Sequence, residues 1–151
     1  MEVNWVCKAF DQLTLEELYA LLALRTEVFI VEQNCPFQDH DGKMDFHSCH
    51  LLCKDLNNQL VAYTRLVPGG LAYSEMSIGR VVSSPAYRGK GLGKLLMEKS
   101  IEQLYKLYGQ LPIRIGAQLY LKAFYESFGF FKAGEIYLED GIEHIEMVKM
   151  P

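Results

Sequence analysis

The sequence lacks any apolar run that approaches the ~18 residues of a membrane-spanning helix. The longest run, near position 20, is broken by Arg25 and Glu27. No basic segment followed by an apolar stretch opens the chain, so we expect no secretory signal and a cytoplasmic location. Excess positive charge is also missing, because 15 Lys and Arg against 19 Asp and Glu give a net charge of −4. This balance argues against a nucleic-acid partner.

Paired cysteines are absent as well, since none of the four Cys residues forms a CxxC pair, and we expect free thiols. One short segment holds several residues of metal-ligand type: Cys35, His40, His47, Cys49, His50 and Cys53. Their spacing does not match paired zinc knuckles. A strand over 47–54 would place His47 and Cys49 on one face and His50 on the other. We therefore predict no metal, and a metal-binding protein stays an alternative that a metal assay decides.

What is present describes one globular domain over residues 1–151, with 50% apolar and 23% charged residues. The predicted elements are a helix over Thr14 to Val31, strands over Ser48 to Lys54, Gln59 to Val67 and Glu75 to Ser83, a helix after Gly93, a strand over Pro112 to Ala117, a helix over Leu119 to Phe128, and a hairpin of Phe130 to Leu138 and His144 to Met150. This order predicts an α/β fold with a mixed, partly antiparallel central sheet flanked by helices.

Between the first helix and the first of these strands lies a polar stretch, residues 33–45, with four acids or histidines. It is too polar for a core and too long for a plain turn, so we interpret it as a binding loop.

The most informative stretch, residues 81–94, runs from a strand through a glycine-rich turn into a helix. Such a turn directs backbone N–H groups and the helix dipole toward phosphate oxygens. It is not a P-loop, because Leu95 stands where a Ser or Thr is needed, and it is one residue short of the dinucleotide fingerprint. The pattern that remains, [RQ]-x-x-G-x-[GA], is met by Arg88, Gly91 and Gly93.

With this pattern the chain resembles the GCN5-related N-acetyltransferase (GNAT) superfamily, whose motif wraps the pyrophosphate of acetyl-coenzyme A. Residues 118–130 resemble a later element of that family, N-x-x-A-x-x-[LF]-Y-x-x-x-G-F, with Tyr125 and Gly129 at matching positions and Gln118 in place of Asn. Residues 24–42, 78–81, 116–118 and 139–145 resemble the ElaA branch, so the likeness covers almost the whole chain.

The resemblance implies the acyl-CoA N-acyltransferase fold and transfer of acetyl from acetyl-coenzyme A to a primary amine by direct attack. The acceptor would be a small molecule or a peptide, and a homodimer is a further expectation. A catalytically silent coenzyme A-binding or sensor module on the same fold is the alternative. The cofactor-binding residues that it implies are Val81, Val82, Arg88, Gly89, Lys90, Gly91, Leu92, Gly93 and Gln118.

The chemistry implied assigns Tyr125 to the leaving thiolate, as a proton or hydrogen-bond donor. The base that accepts the proton of the amine is Glu75, Glu32 or His144, or water without a dedicated base. Glu75 is suggested by the histone-acetyltransferase branch, and His144 by an ordinary pKa near neutrality. Glu32, with Asp39 and Asp41, would form an anionic pocket that attracts an ammonium group.

Overall fold

The computed structural model describes residues 1–151 and contains two β-sheets with helices packed around them. The strands are β1 (Asn4–Ala9), β2 (Cys49–Lys54), β3 (Leu60–Val67), β4 (Ser77–Ser83), β5 (Ile113–Gln118), β6 (Phe130–Lys132), β7 (Tyr137–Glu139) and β8 (Ile142–Lys149). The α-helices are α1 (Leu15–Arg25), α2 (Met44–His47), α3 (Leu92–Tyr108) and α4 (Lys122–Glu126). Further turns are the 3₁₀ segments Phe10–Gln12, Pro85–Tyr87 and Leu119–Leu121 and the π-helical segment Thr26–Glu32.

The first sheet has the order β1-β2-β3-β4, and each strand is antiparallel to its neighbour. β3 is a nearly continuous apolar run because both of its faces are covered. On one face Tyr63 packs with Leu21 of α1, and on the other Leu66 belongs to the main core together with Met97 of α3. The predicted α/β architecture with helices flanking the sheet is confirmed.

The second sheet has the order β5-β8-β6, with β7 beside the first half of β8. β6 and β7 lie along the same edge of β8, and the Ala133 N–H still donates to the Glu146 carbonyl at 2.9 Å. The predicted single strand over 130–138 is therefore wrong in detail: it is one edge strand interrupted near Gly134.

The two sheets join at one point, a parallel bridge between Met76 and Ile113, with the Arg114 N–H donating to the Met76 carbonyl at 3.0 Å. No ladder joins β4 to β5 beyond this bridge. In their C-terminal halves, β4 and β5 therefore have backbone N–H and C=O groups on their facing edges that form no hydrogen bond between the two strands. The glycine-rich turn follows the end of β4.

Two helix predictions are confirmed in the structure. α3 begins directly after the glycine-rich turn and buries Met97 and Leu104 against the main core. α1 begins with the predicted capping box, in which the Glu17 N–H donates to the Thr14 hydroxyl at 3.0 Å and the Thr14 N–H donates to the Glu17 carboxylate at 2.9 Å. No helix of the chain is long and apolar enough to cross a membrane.

Other predicted bounds are wrong. β1 was not predicted, because an edge strand that is only half buried has no clear alternation. The regular first helix ends at Arg25 and continues to Glu32 as a π-helical turn, which hydrophobic periodicity does not distinguish. The helix expected over 119–128 is a 3₁₀ turn followed by the five residues of α4.

Two corrections concern candidate site residues. His47 lies in α2 and not in a strand, because the Ser48 hydroxyl donates to the Met44 carbonyl at 2.6 Å and Asp41 accepts N–H groups at the start of the turn. Glu75 precedes β4, which begins only at Ser77.

Candidate active site

The glycine-rich turn between β4 and α3 has a left-handed backbone at two glycines. φ is +79° at Gly89 and +78° at Gly91, and no atom lies within 4 Å of a Cβ built at either. The first helical hydrogen bond of α3 runs from the Leu95 N–H to the Gly91 carbonyl at 3.3 Å. The N–H groups of residues 92–94 therefore have no partner inside the helix. Together with the helix dipole they form an open site for phosphate oxygens.

An ion pair joins this turn to the end of the π-helical segment. Both terminal nitrogens of Arg88 contact the Glu32 carboxylate, at 2.7 and 2.6 Å. The hydrogen bond and charge of Arg88 lower the pKa of Glu32 below its ordinary value. Lys90 is not engaged in an ion pair and lies over the Tyr87 ring, 5.0 Å from its centroid. The end of the π-helical segment is thus attached to the turn that would bind phosphate.

A β-bulge lies in β4 just before the turn. Tyr63 pairs with Val82 and Arg65 pairs with Gly79, so one residue of β3 faces two residues of β4, Arg80 and Val81. φ is +51° at Arg80. A bulge of this kind leaves an extra residue outside the ladder and redirects its N–H. Val81 and Val82, which we expected to bind the cofactor, lie at this bulge.

The end of β5 contacts the end of the π-helical segment. Gln118 and Gln33 form a reciprocal amide pair at 3.2 and 3.4 Å. The Cys35 thiol donates to the Asp140 carbonyl at 3.1 Å, so the same stretch also reaches the hairpin between β7 and β8. Gln118 is therefore held in place beside the predicted binding loop. Sequence analysis did not single out Gln33.

His144 is brought next to Gln118, its direct cross-strand partner in the β5–β8 ladder. Nδ1 lies 2.8 Å from the Ile142 carbonyl, which can only accept, so Nδ1 carries the proton in neutral His144. Nε2 is then the proton-accepting nitrogen, and it lies 3.4 Å from the Glu139 carboxylate. The geometry makes the ring of His144 a usable proton acceptor.

Tyr125 of α4 is buried, with its ring packed edge-on against Phe124 and Phe130. Burial raises the pKa of Tyr125 to about 12. The phenol is therefore a hydrogen-bond donor and a poor source of a proton. Phe124, its neighbour, also lies 3.9 Å from a Cβ built at Gly93, so α4 packs directly against the start of α3.

Glu75 is not brought to this region. It lies beside the bridge that joins the two sheets, five residues before the bulged Arg80. Its carboxylate accepts from the Ser74 hydroxyl at 2.9 Å and from Arg114 at 3.1 Å. A hydrogen bond from its own backbone, that hydroxyl and Arg114 lower the pKa of Glu75. The carboxylate of Glu75 is therefore paired, and it lies at the end where the two sheets join.

The anionic pocket expected from Asp39 and Asp41 does not exist in the structure. Asp39 is buried, and its two carboxylate oxygens accept from Arg25 and Arg80, both at 2.8 Å. Asp41 binds the N–H groups of Lys43 and Met44 at the start of α2. Both carboxylates are therefore engaged by hydrogen-bond donors of the protein, which offset the cost of removing their charge from water.

Asp39 is part of a buried cluster that sequence analysis missed. Arg25 is fully buried and also binds Asp45 at 2.9 Å, while Arg65 binds the same carboxylate at 3.0 Å. The five members are Arg25, Asp39, Asp45, Arg65 and Arg80. The only sequence signal was an arginine on the apolar face of the first helix.

Two hydroxyls cover the second sheet between Glu75 and His144. A Cβ built at Gly116 would lie 2.7 Å from the Tyr137 hydroxyl oxygen and 3.0 Å from that of Tyr73. Gly116 therefore gives room for two tyrosines from different segments, as glycine in a strand interior often does. Sequence analysis did not predict these tyrosines.

An open groove of about 410 Å³ lies elsewhere, beside α4, and contains none of the predicted site residues; it is lined by Leu119, Lys122, Lys132, Glu135, Ile136 and Ile145. No group of three or more His, Cys, Asp or Glu side chains is arranged to hold a metal ion.

The fold is that of the acyl-CoA N-acyltransferases, to which the split pair of sheets, the bulge in β4 and the glycine turn before α3 belong. The model of the acetyltransferase (GNAT) domain family matches residues 14–151, and the chain belongs to this family, in its ElaA-like branch.

Its relatives agree with this assignment. The UPF0039 protein sll0451 of Synechocystis is 43% identical over 98% of this chain and 96% of its own. Protein ElaA of Escherichia coli is 42% identical over 97% of this chain and 96% of its own. The crystal structure of an acyl-CoA N-acyltransferase from Pseudomonas aeruginosa shares 45% identity, with a TM-score of 0.92 over 98% of this chain and 99% of that one.

Proposed function

We propose that this protein transfers an acetyl group from acetyl-coenzyme A to a primary amine by direct attack, in the cytoplasm. The observation that carries the proposal is the left-handed turn at Gly89 and Gly91, which opens α3 beside the bulge in β4. Acyl-coenzyme A chemistry is also supported by the Pseudomonas acyl-CoA N-acyltransferase, which is 45% identical.

The pyrophosphate would be held by the unpartnered N–H groups of Leu92, Gly93 and Lys94, with Arg88 and Lys90 supplying full charges. The fit is supported by open space at Gly89 and Gly91, where nothing lies within 4 Å of a Cβ built on either glycine. Because Arg88 is engaged by Glu32, it would exchange one anionic partner for another when phosphate binds. Gln118 at the end of β5 would bind the arm of the cofactor.

The co-substrate supplies a thioester, whose carbonyl oxygen becomes negatively charged when the amine attacks. The N–H of Val81 or Val82, at the bulge in β4, is the proposed donor to that oxygen. The attacking amine must be neutral, and removing its proton at pH 7 costs about 4–5 kcal/mol for a lysine-like amine. Some proton acceptor must therefore lie near the acceptor amine.

Of the three candidates, we propose that His144 is this acceptor. Its Nδ1 proton is held by the Ile142 carbonyl, so Nε2 carries the free electron pair. Arg88 lowers the pKa of Glu32. A hydrogen bond from its own backbone, the Ser74 hydroxyl and Arg114 lower the pKa of Glu75.

Tyr125 is the proposed donor to the departing thiolate. With a pKa of about 12 for Tyr125, full proton transfer to a thiolate whose thiol has an ordinary pKa near 8.5 would be uphill by roughly 5 kcal/mol. We therefore assign Tyr125 a hydrogen bond to the sulfur, and the proton that ends on the thiol comes from the amine or from solvent.

The proposal is tested with purified protein, by calorimetry with coenzyme A and by thiol release from acetyl-coenzyme A across a panel of small amines and lysine peptides. Binding and turnover with at least one amine is the expected result. Binding without turnover by any amine would favour the silent coenzyme A-binding module. Failure to bind coenzyme A would refute both.

A further inference from the structure

We propose that Arg80 and Asp39 are positioning residues, whose ion pair holds the bulge of β4 and thereby the backbone donor to the thioester carbonyl oxygen. The inference rests on the proposed function, because that donor acts only when an acyl-coenzyme A is bound.

The backbone at Arg80 needs support from outside the strand. Four residues other than glycine have positive φ, and the other three are Asn34, Asn58 and Asp140. Asn and Asp tolerate the left-handed region, whereas a long side chain in the middle of a strand rarely adopts it. A backbone conformation that is intrinsically unfavourable persists only where surrounding contacts fix it.

Contacts from the loop over residues 33–45 supply that support. Arg80 Nε donates to Asp39 Oδ1 at 2.8 Å, and Arg80 Nη2 donates to the Asp39 carbonyl oxygen at 3.1 Å. The guanidinium also lies over the Phe37 ring, 5.7 Å from its centroid. Two hydrogen bonds and a stacked ring fix the direction in which the side chain leaves the bulge.

Asp39 is itself immobilised from the other side. Its second carboxylate oxygen accepts from Arg25 Nε at 2.8 Å, and its carbonyl oxygen accepts from Arg25 Nη2 at 3.2 Å. Arg25 is fully buried and is held by Asp45. The bulge is therefore fastened, through one aspartate, to the end of α1 and to α2.

Arg65 places a further guanidinium group beside the bulge. Within the cluster three guanidinium groups face two carboxylates, and Arg65 Nε is buried without a partner. Arg65 also lies 3.8 Å from a Cβ built at Gly79, directly before the bulge. Asp41 also interacts with the charge of Arg65. The cluster therefore acts on the bulge through its hydrogen bonds and not through excess charge.

The test compares two ligands that differ only at the carbonyl: acetyl-coenzyme A and S-ethyl-coenzyme A. If the bulge donates to the carbonyl oxygen, the wild type should bind acetyl-coenzyme A about five-fold more tightly than S-ethyl-coenzyme A. This is the difference expected from one ordinary hydrogen bond. Arg80→Gly keeps the left-handed backbone accessible but removes the side chain. We expect this variant to bind the two ligands equally, with unchanged affinity for S-ethyl-coenzyme A.

Lys8→Ala is the matched control, because it breaks a 2.8 Å ion pair with Glu17 that has no contact with the bulge. It should retain the five-fold preference. Arg80→Lys can reach one oxygen of Asp39 but not form the two-atom contact, and should restore part of the preference. Asp39→Asn removes the charge and should lower the preference as Arg80→Gly does, so the test stands if one variant fails to fold.

A wild type that binds both ligands equally, or Arg80→Gly and Asp39→Asn proteins that keep the full preference, would overturn the positioning role while leaving coenzyme A binding intact. Equal weakening of both ligands in these variants would also overturn it, because that indicates general disruption. A wild type that binds neither ligand refutes the proposed function itself.

Discussion

The assignment of the glycine turn can be tested most sharply at Gly91, where we predict that Gly91→Ala impairs coenzyme A binding far more than it impairs folding. φ is +78° at this position, and no protein atom lies within 4 Å of the Cβ that would be added. The substitution therefore produces no clash within the protein. Its effect on folding comes only from the backbone conformation.

The two effects differ in size. A left-handed backbone costs a residue with a Cβ roughly 1–2 kcal/mol, and the smaller freedom of the unfolded chain offsets about 0.4–1 kcal/mol of that. A net loss of about 1 kcal/mol lowers the melting temperature by about 2–4 °C for a chain of 151 residues. By contrast, a methyl group at position 91 would keep the phosphate from approaching the N–H groups of the turn. Losing one hydrogen bond to a charged phosphate weakens coenzyme A binding by at least about ten-fold.

Gly141→Ala is the control, since φ is also +78° there and its Cβ also meets nothing within 4 Å. Gly141 lies in the turn between β7 and β8 and is not among the residues proposed to bind coenzyme A. Both variants should lose similar melting temperature by calorimetry, and only Gly91→Ala should lose affinity for coenzyme A by titration. Equal affinities for the two variants would show that phosphate does not approach the turn at Gly91.

Three further predictions address single side chains. Tyr125→Phe should lower turnover where chemistry limits the rate and leave coenzyme A affinity nearly unchanged; a large loss of melting temperature with normal turnover would instead mean a packing role. Glu32→Gln should free Arg88 and raise coenzyme A affinity by at most about five-fold, less at high salt, as isothermal titration in two buffers would show. Burial opposes the charge of Glu17, yet Lys54, Lys8 and Thr14 lower its pKa to about 2. Its stabilisation is therefore complete above the unfolded pKa near 4.3 and is lost as pH falls toward 2, so urea unfolding of Glu17→Gln should vary less with pH in that interval.

Local patterns predicted the elements that rely on local chemistry. The capping box at Thr14, the helix after the glycine turn and the short strand before Gln118 all follow from residues close in sequence. β1 escaped prediction because an edge strand that is only half buried shows no clear alternation of apolar and polar residues. The π-helical segment escaped because its residues continue the apolar pattern of α1 without interruption.

The candidate site likewise has one part that could be predicted from the sequence and one part that could not. The glycine turn could be read from the sequence because its backbone geometry needs particular residues at fixed spacing. The cluster around Asp39 could not, since its members come from α1, the binding loop, α2, β3 and β4 and share no spacing. Asp39 and Asp41 suggested a pocket for a cation. In the structure Asp39 pairs with Arg25 and Arg80, and Asp41 accepts backbone N–H groups.

Pairing of carboxylates with arginines also narrows the choice of the residue that accepts the proton of the amine. A carboxylate serves as a base near neutral pH when burial or like charge raises its pKa, and Glu32 and Glu75 experience the opposite, each facing an arginine. Of the three candidates, His144 alone is not paired with an arginine, and its proton-accepting Nε2 faces the Glu139 carboxylate instead. Once an acceptor is found, His144→Ala should lose the acidic limb of the pH profile of turnover, whereas Glu75→Gln should keep it. If His144→Ala retains that limb, His144 is not the base. If Glu32→Gln and Glu75→Gln retain it as well, the proton leaves through water and only the cofactor-binding part of the proposed site stands.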